Sequence, residues 1–490
     1  MTYGMSLRAL LEGWMTAGDD LPEVAIAGIV MDSRQVEPGF AFVAVRGSQG
    51  HGMQHAADAV QRGAVAILHD GGFENGDIDI PMIRVPALGS RLGELASRFW
   101  AASSEDMTIA AVTGTNGKTS VAHFIAQAWQ REYGQAGLIG TLGFGPLDDL
   151  EPATHTTPDP FTLNRVLAHC MDSGADHLAM EASSHALAQG RLDTVQIDAA
   201  IFTNLGRDHL DFHQDMDAYA AAKRRLFTDY APRFCVINRD DMTGRKWIRE
   251  LAGEQEVLSY GLMPGAELTA ETLGMDADGM ALRFHSPWGT ADLRTGLLGQ
   301  FNALNLLAAA GAMTLLGMSW TDTVRELEAV KPVPGRMVRL GGAPGQPVVV
   351  IDYAHTPDAL AHSLAAVRDH LSGHLTCVFG CGGNRDRGKR SQMGQVAESL
   401  ADRLVVTSDN PRFESVNSII NDVLRGMEAP GRVVVEPDRA TAIRAAIDQA
   451  RPGDIVLIAG KGHETWQEIA GQKIPFSDEA TVQAVLEAAA

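Results

Sequence analysis

A glycine-rich stretch, VTGTNGKTS at residues 112–120, carries the clearest chemical signal in this sequence. It follows the apolar run MTIAAV and precedes SVAHFIAQAWQ, so it joins a predicted β-strand to a predicted amphipathic helix. Glycines there let backbone N–H groups close around phosphate oxygens, and a helix N-terminus favours negative charge. The lysine can bridge terminal phosphates and the threonine hydroxyl can bind Mg²⁺. The stretch predicts a nucleotide phosphate site at Gly114, Thr115, Asn116, Gly117, Lys118, Thr119 and Ser120.

A glycine-rich turn with a solvated lysine is the structural alternative at this stretch. Two residues, rather than the four of the full P-loop pattern, separate Gly114 from Gly117. The strand–loop–helix context nevertheless favours the phosphate site over the plain turn.

Two clusters of acidic and histidine residues follow later predicted strands. HLAMEAS contains Glu181, and TNLGRDHLDFH contains Asp208, His209, Asp211 and His213. The carboxyl ends of parallel strands meet at one edge of a sheet, where carboxylate and imidazole groups suit Mg²⁺ that bridges ATP to a second substrate. Alternatively, Asp208 and Asp211 cap the helix that begins near MDAYAAAK.

Three further side chains have no clear role from local spacing alone. Lys223 stands beside Arg224 and Arg225 and has the pattern of a solvated helix lysine. Asn302 and Asn305 interrupt the apolar stretch GLLGQFNALNLLAAAGA, and buried amides need hydrogen-bond partners. The edges of an adenine base and a network at a helix N-terminus are equally good candidates for those partners.

The stretch TSDNPRFES, residues 407–415, follows the apolar run ADRLVV. Its Asn-Pro pair favours a turn, and SVNSIINDVL then predicts a helix that Ser415 could cap. The local pattern leaves open whether Arg412 is a surface residue of that turn or is presented to a ligand.

The elements that must position these residues alternate between strand and helix signals. The first ~100 residues contain the strand-like runs FAFVAV, VAIL and PMIRVP and the helical stretch MQHAADAVQRGA. Alternation from the phosphate stretch to about residue 330 predicts an α/β fold with a parallel sheet covered by helices. VKPVPGRMVRL is the predicted linker, and a second α/β unit of ~150 residues follows it.

Composition narrows the class of protein. A length of 490 residues predicts about three domains, and 45% hydrophobic with 21% charged residues is typical of a soluble globular protein. Forty Lys and Arg against 61 Asp and Glu give a net charge of −21, which argues against a nucleic-acid or anionic-membrane surface. The longest apolar stretch is too interrupted for a membrane span, and no secretory signal is visible. Four scattered cysteines indicate reduced thiols in a cytosolic protein, without a zinc site.

Seven motifs together resemble those of the Mur ligases, which build the peptide stem of bacterial cell-wall precursors with ATP. In chain order they are TGTNGKTS, AMEASSHAL, TNLGRDHLDFH, GQFNALN, PGRM, DYAHTPDAL and GKGHE. The resemblance runs from DSRQVEPGFAFVAVRG at residues 32–47 to GKGHE at 460–464. It implies three α/β domains: a UDP-sugar-binding domain at 1–103, a central P-loop-type ATP-binding domain at 104–334 and a Rossmann-like domain that binds the amino acid at 335–490.

The resemblance also implies an activity. The motifs are most similar to those of the family members that use ATP and Mg²⁺ to add meso-2,6-diaminopimelate to UDP-N-acetylmuramoyl-L-alanyl-D-glutamate through an acyl phosphate. We accordingly expect a monomeric cytoplasmic enzyme with small-molecule substrates, no nucleic-acid partner and no membrane insertion. The alternatives are a Mur ligase that adds L-lysine, a ligase similar to folylpolyglutamate synthase, and a P-loop nucleotide switch.

Family roles can be placed on matching positions. Lys118, Glu181, His209 and Lys223 would be catalytic. Thr119, Glu181, His209 and Lys223 would hold the metal, with Lys223 carbamylated. Asn302, Arg336 and Asp352 would join the phosphate stretch in binding ATP. The UDP-sugar dipeptide would contact Met31, Ser33, Ser48, Gln49, Gly50, Thr156, Thr157, Ser183, Gln189 and Arg191.

The same resemblance assigns the amino-acid site. DNPR marks the family members that add diaminopimelate, which carries one more carboxylate than lysine. A guanidinium in a rigid turn can bind that carboxylate through two hydrogen bonds, so Arg412 would select the amino acid. The implied site consists of Arg385, Asp409, Asn410, Pro411, Arg412, Gly460 and Glu464.

Overall fold

The computed structural model describes residues 4–15, 21–47, 50–71, 78–101, 104–343 and 345–488. The chain forms two compact units, Met1–Ser259 with Gly311–Met318, and Tyr260–Ala310 with Ser319–Ala490. The predicted boundary after residue 103 falls inside the first unit and that after residue 334 inside the second, so the exact domain limits stay a prediction. Across the described ranges, no helix is long and apolar enough to cross a bilayer.

The first unit begins with a small layer of strands and short helices. Its strands are β1 Met5–Ser6, β2 Ala25–Ile26, β3 Gly28–Val30, β4 Phe40–Ala44, β5 Ala66–His69 and β6 Met82–Arg84. Its helices are α1 Leu7–Leu10, α2 Ala56–Gln61 and α3 Leu92–Trp100. Strands β3 to β6 form a parallel sheet in that order, and β1 pairs antiparallel with β2. The strands predicted at FAFVAV, VAIL and PMIRVP and the helix predicted at MQHAADAVQRGA are therefore confirmed.

The rest of the first unit is built on a second, larger sheet. Its strands are β7 Thr108–Thr113, β8 Gly137–Gly140, β9 Gly143–Pro146, β10 His177–Glu181, β11 Ala199–Phe202, β12 Phe234–Asn238 and β13 Glu256–Gly261. Its helices are α4 Lys118–Tyr133, α5 Pro160–Asp172, α6 Ser184–Ala188, α7 Leu210–His213, α8 Met216–Thr228 and α9 Met242–Leu251. The strand order is β13-β12-β11-β7-β10-β8-β9.

This larger sheet has the parallel core that the sequence predicts. Strands β11, β7, β10 and β8 pair in parallel, and β9 closes the edge as an antiparallel hairpin with β8. Side chains such as Ile109, Leu178 and Phe202 are fully buried because helices cover the sheet. The central position of β7 places the phosphate stretch at the carboxyl edge of the sheet, between β10, which ends in Glu181, and β11, which Thr203 and Asn204 follow.

The second unit contains an antiparallel meander and a mostly parallel sheet. Its strands are β14 Leu268–Asp276, β15 Gly279–Ser286, β16 Gly289–Thr295, β17 Val338–Gly341, β18 Val348–Asp352, β19 Leu375–Phe379, β20 Arg403–Val406, β21 Val434–Val435, β22 Ile455–Ala459, β23 Trp466–Ile469 and β24 Gln472–Pro475. Its helices are α10 Gln300–Leu315, which begins in this unit, α11 Trp320–Glu328, α12 Pro357–Arg368, α13 Gly388–Leu400, α14 Val416–Leu424, α15 Arg439–Gln449 and α16 Asp478–Ala488. Strands β14 to β16 form the meander.

The mostly parallel sheet of the second unit has the order β17-β18-β22-β19-β20-β21, with β17 antiparallel. Strands β18, β22 and β19 are buried throughout, as the predicted second α/β unit requires. The turn at residues 407–415 follows β20, and the GKGHE stretch follows β22. Both therefore leave the sheet at the same carboxyl edge, and the β23–β24 hairpin comes directly after the second.

Candidate active site

The phosphate loop connects β7 to α4, as predicted. Gly114 has φ 150° and Gly117 has φ 87°, conformations that favour glycine. A Cβ atom at Gly114 would overlap the Thr203 hydroxyl. That hydroxyl donates to the Asn116 carbonyl at 2.6 Å, and the Asn116 N–H donates to the Asn204 side chain at 2.9 Å. The loop is thus held against the segment that leaves β11.

Lys118 is the first residue of α4 and folds back over this loop. Its Nζ donates to the carbonyl oxygens of Gly114 and Thr115, both at 3.0 Å. The side chain therefore lies at the helix N-terminus, where its positive charge and the helix dipole would both stabilise a bound anion.

Glu181 ends β10 and is almost completely buried beside the loop. Its two carboxylate oxygens each lie 3.0 Å from Thr119 Oγ1, and one accepts from the Thr141 N–H at 2.7 Å. Adjacent strands bring these residues together, since β10 pairs with β7 and places Glu181 opposite Val112. Two of the predicted metal ligands, Thr119 and Glu181, thus face each other with oxygen atoms of the type that Mg²⁺ prefers.

Lys223 lies on α8 and is buried, so its interpretation as a solvated helix lysine is wrong. Its Nζ donates to the Gly114 carbonyl at 2.7 Å and lies 4.5 Å from the centre of the Tyr219 ring. Burial, with the nearby charge of Lys118 as a second cause, lowers the pKa of Lys223 to about 6. Its amine is therefore uncharged at neutral pH.

The histidine cluster lies partly at the surface. His209 is exposed, has a left-handed φ of 52°, and its Nε2 lies 3.4 Å from Asp208 Oδ2. The capping alternative for Asp208 and Asp211 is wrong, because Asp215 caps α8 by accepting from the Ala218 N–H. Within the described ranges, no three or more His, Cys, Asp or Glu side chains are grouped as a metal site.

One cavity of about 610 Å³ brings together eight of the residues predicted for sites in the first unit. It is lined by Lys118, His209, Lys223, Thr156, Thr157, Ser183, Gln189 and Arg191, among others. Residues predicted for phosphate chemistry and residues predicted for the dipeptide therefore border the same space, although they come from five separate parts of the chain.

Hydrogen bonds fix the dipeptide side of this cavity. The buried Thr157 hydroxyl donates to the Glu181 carbonyl at 2.7 Å and accepts from the Ser183 N–H at 3.0 Å. Arg191 donates to the Thr157 carbonyl at 2.7 Å and to the Gln189 side chain at 2.9 Å. Burial lowers the pKa of the Arg191 guanidinium, as expected for a cation that lines a cavity.

The predicted UDP residues lie in the small N-terminal layer. Met31 follows β3 and is half-buried, whereas Ser33 is buried at the start of a short 3₁₀ turn. Gly50 accepts a backbone hydrogen bond from Gly47 at 2.8 Å. Ser48 and Gln49 lie outside the described residues.

The second unit holds the three other residues predicted for the nucleotide. Asn302 donates to the Leu298 carbonyl at 2.8 Å and accepts from Asn305 at 3.0 Å, so both amides find partners in the first turns of α10. From the sequence, these amides could bind either an adenine base or a network at a helix N-terminus. In the structure they form such a network. Arg336 has its guanidinium carbon 5.7 Å from the centre of the Tyr353 ring.

Asp352 ends β18 and is buried, and burial raises its pKa. Its carboxylate accepts from the N–H groups of Met337 and Ala354 and from the Ser363 hydroxyl. These contacts tie the predicted linker to the sheet edge. The nucleotide contacts of Asn302, Arg336 and Asp352 stay predictions.

The turn after β20 presents the predicted amino-acid residues. Asp409 and Asn410 are buried, and Arg412 adopts a left-handed φ of 51°. Arg412 Nε lies 3.1 Å from Glu468 Oε2, and its Nη1 donates to the Gly383 carbonyl at 2.8 Å. Ser415 occupies the N-cap position of α14, but its side chain makes no capping hydrogen bond, which corrects that expectation.

Lys461, in the GKGHE stretch, is a central residue of this site that the sequence did not single out. Its side chain is fully buried, with Nζ 2.8 Å from Glu464 Oε2, 3.2 Å from Asn410 Oδ1 and 3.9 Å from Asp409 Oδ1. Asn410 also donates to Glu464 at 2.8 Å. Burial raises the pKa of Asp409. The only sequence signal for this network was a lysine between two glycines after an apolar strand.

A buried ion pair contacts both segments that carry this site, the turn after β20 and the GKGHE stretch after β22. Arg439 and Asp478 are both 0% exposed, and their side chains are joined by hydrogen bonds of 2.7 and 2.8 Å. Arg439 also donates to the carbonyls of Ser408 and Ala459, which directly precede Asp409 and Gly460. The exposed Arg385 makes no hydrogen bond within the described part of the chain, and Pro411 completes the turn.

Comparison with known protein families gives three matches along the chain. Residues 25–100 match the Mur ligase family catalytic domain, residues 112–313 the Mur ligase middle domain and residues 335–462 the Mur ligase glutamate ligase domain. Together they cover well over half of the sequence.

Individual relatives match along nearly the whole length. A protein of Alkalilimnicola ehrlichii named UDP-N-acetylmuramoyl-L-alanyl-D-glutamate--2,6-diaminopimelate ligase is 48% identical over 98% of this chain and 99% of its own. A Xylella fastidiosa protein of the same name is 47% identical over 100% and 98%. A solved structure of a ligase with that name superposes with a TM-score of 0.75 at 35% identity, covering 100% of this chain and 99% of the other.

Proposed function

The chain belongs to the Mur ligase family, and from that premise we propose that it is the ligase that joins 2,6-diaminopimelate to UDP-N-acetylmuramoyl-L-alanyl-D-glutamate. The reaction consumes ATP and forms an amide bond between the D-glutamyl carboxylate and an amine of diaminopimelate, in the synthesis of peptidoglycan precursors. The fold is the three-domain α/β architecture of this family. The observation that carries the proposal is the full-length similarity, at 48% identity, to a ligase named for these two substrates.

The chemistry needs an activated carboxylate. A carboxylate oxygen of the substrate attacks the γ-phosphorus of ATP, the bond to the β-phosphate oxygen breaks, and ADP leaves. The resulting acyl phosphate is attacked by the amine, which loses a proton as inorganic phosphate departs. Since most of the barrier is repulsion among anions, positioning and electrostatics supply the main catalytic effect, without a nucleophilic side chain.

Lys118 is suited to the phosphoryl-transfer step. Its Nζ now donates to two loop carbonyls, and phosphate oxygens would offer stronger, charged acceptors in the same place. The N-terminus of α4 adds a partial positive charge beside it. Together they stabilise the charge that spreads over the transferred group.

The amine of Lys223 is suited to forming a carbamate, a group that carries a negative charge as a carboxylate does. Its buried, uncharged amine can add to CO₂, forming a C–N bond and releasing one proton to give a carbamate. Thr119, Glu181, His209 and the carbamylated Lys223 would then hold Mg²⁺, which supplies positive charge to the phosphates. The facing oxygens of Thr119 and Glu181, 3.0 Å apart, support this assignment.

The other predicted contacts follow the same assignment. Thr156, Thr157, Ser183, Gln189 and Arg191 bind the dipeptide in the 610 Å³ cavity. In the second unit, Arg412 binds the far carboxylate of diaminopimelate, and Asp409, Asn410 and Glu464 receive its ammonium. We further propose a monomeric cytoplasmic enzyme with domain limits near residues 103 and 334.

A panel of amino acids tests the function. Phosphate release is measured with ATP, Mg²⁺ and UDP-N-acetylmuramoyl-L-alanyl-D-glutamate, adding meso-diaminopimelate, L-lysine or L-glutamate in separate reactions. Release is expected only with diaminopimelate, together with the UDP-linked tripeptide detected by mass spectrometry. Equal release with lysine would refute the amino-acid assignment. Release from ATP alone would favour the nucleotide switch instead.

A further inference from the structure

Glu468 is the carboxylate that contacts Arg412. It lies on β23, and its Oε2 is 3.1 Å from Arg412 Nε, with side chains that are 23% and 19% exposed. The backbones are joined as well, because the Arg412 N–H donates to the Glu468 carbonyl at 3.0 Å. The Glu468 N–H in turn donates to Asn410 Oδ1 at 2.9 Å. These contacts, together with those of Gln467 to Ser408 and Asp409, fasten β23 to the turn at residues 407–415.

These contacts occupy only part of the guanidinium. Nε faces Glu468 and one Nη1 hydrogen faces the Gly383 carbonyl at 2.8 Å. Over the described ranges Nη2 makes no hydrogen bond, which leaves its two hydrogens and one on Nη1. A guanidinium held at two of its nitrogens keeps a single orientation, so less conformational entropy is lost when a ligand carboxylate binds.

We propose that Glu468 is a positioning residue of the amino-acid site, which orients Arg412 through Nε so that its remaining N–H groups receive a carboxylate. This inference rests on the proposed function, in which Arg412 binds the far carboxylate of diaminopimelate.

The opposite role is open to experiment. If Glu468 competes with the substrate for Arg412, its removal frees the guanidinium and tightens binding of diaminopimelate. If it orients Arg412, its removal lets the side chain move and weakens binding. The sign of the change in KM for diaminopimelate therefore separates the two roles.

Four variants of the full-length enzyme test the inference, namely Glu468→Ala, Glu468→Gln, Arg412→Ala and the double variant Arg412→Ala/Glu468→Ala. Glu487→Ala, which removes an exposed glutamate from α16, is the matched control. KM is measured for diaminopimelate, ATP and the UDP-dipeptide, together with kcat. Glu468→Ala should raise KM for diaminopimelate about tenfold, the usual size of one charge-assisted hydrogen bond. kcat and the other two KM values should stay at the control's values.

Glu468→Gln retains an oxygen acceptor for Nε and should recover most of the affinity, whereas Glu468→Ala should add nothing in the Arg412→Ala background. If Arg412→Ala raises KM for diaminopimelate but Glu468→Ala leaves it unchanged or lowers it, the positioning role is overturned and the proposed function stands. A parallel rise in KM for ATP would show a general structural effect and also overturns it. Wild-type KM in Arg412→Ala refutes the role proposed for Arg412, and this inference with it.

Discussion

The Nζ atom of Lys223 donates a hydrogen bond of 2.7 Å to the carbonyl oxygen of Gly114, a residue 109 positions earlier in the chain. Lys118 donates to the same oxygen at 3.0 Å. Two lysines thus share one acceptor in the phosphate loop; Lys118 is half-buried, whereas Lys223 is buried. The buried one is left as a neutral amine, the form that reacts with CO₂.

Replacing Lys223 should remove this chemistry. Lys223→Ala is expected to lower kcat by about 100-fold or more, the range seen when a preorganised charge is lost from an active site. A short carboxylic acid such as acetate should restore part of the activity by occupying the space of the carbamate. Lys246→Ala, at an exposed lysine of α9, serves as the control. Full activity in Lys223→Ala would refute the carbamate.

Lys223 should also change how the free energy of unfolding depends on pH. The unfolded chain holds a proton on Lys223 up to the ordinary pKa of 10.5, whereas the folded chain releases it at about 6. Between these values the unfolded state binds more protons, so the free energy of unfolding should rise with pH. In CO₂-free buffer, urea unfolding at pH 6.5, 8 and 9.5 should show a smaller rise for Lys223→Met than for the wild type. Equal slopes would contradict the lowered pKa.

Lys118 should affect the chemical step. Lys118→Ala is expected to lower kcat by on the order of 10²–10³-fold, because a positive charge at the transferring phosphate is lost. Circular dichroism should remain unchanged, since the Nζ of Lys118 donates to carbonyls of its own loop, three and four residues away in the chain. Isothermal titration should show weaker ATP binding and unaltered diaminopimelate binding. Wild-type kcat would exclude Lys118 from the phosphate site.

The Arg439–Asp478 pair should dominate stability beneath the amino-acid site. Arg439→Met leaves Asp478 buried without its partner and should cost about 3–5 kcal/mol. Unfolding in urea is followed through tryptophan fluorescence, with Arg432→Met at an exposed position as the control. Adding Asp478→Leu should recover much of the loss, because an apolar pair replaces the isolated charge. A loss no larger than that of Arg432→Met would show that the pair contributes little.

Acid should weaken a second ion pair of the same unit. Arg390 binds both carboxylate oxygens of Glu414 at 2.9 and 3.0 Å, and these hydrogen bonds lower the pKa of Glu414 to about 2. The stabilising effect is complete above the ordinary pKa of 4.5 and is lost as pH falls towards 2. Glu414→Gln should therefore unfold at lower urea than the wild type at pH 7, and the difference should shrink at pH 3. A difference that does not depend on pH would contradict the lowered pKa.

Much of the fold and part of the site could be predicted from local sequence. The phosphate loop, the turn around Pro411 and the alternating strands and helices depend on glycine, proline and apolar residues within short windows. The roles of Lys223 and Arg412 came from resemblance to a family, since nothing in their immediate neighbours distinguishes them. The amides of Asn302 and Asn305 were ambiguous because their partners lie one helical turn away and depend on how α10 begins.

The sequence by itself determined the order of the elements and the residue types at the ends of the strands. Only the tertiary structure decided which of those ends are neighbours. It buried Lys223 beside Gly114, enclosed Lys461 with Asn410 and Glu464, and set Glu468 against Arg412. The physical reason is that burial and the nearest charge set a side chain's pKa and orientation. The groups that bury a side chain or stand nearest to its charge come from segments tens to more than a hundred residues apart. These segments meet only when parallel strands align their carboxyl ends.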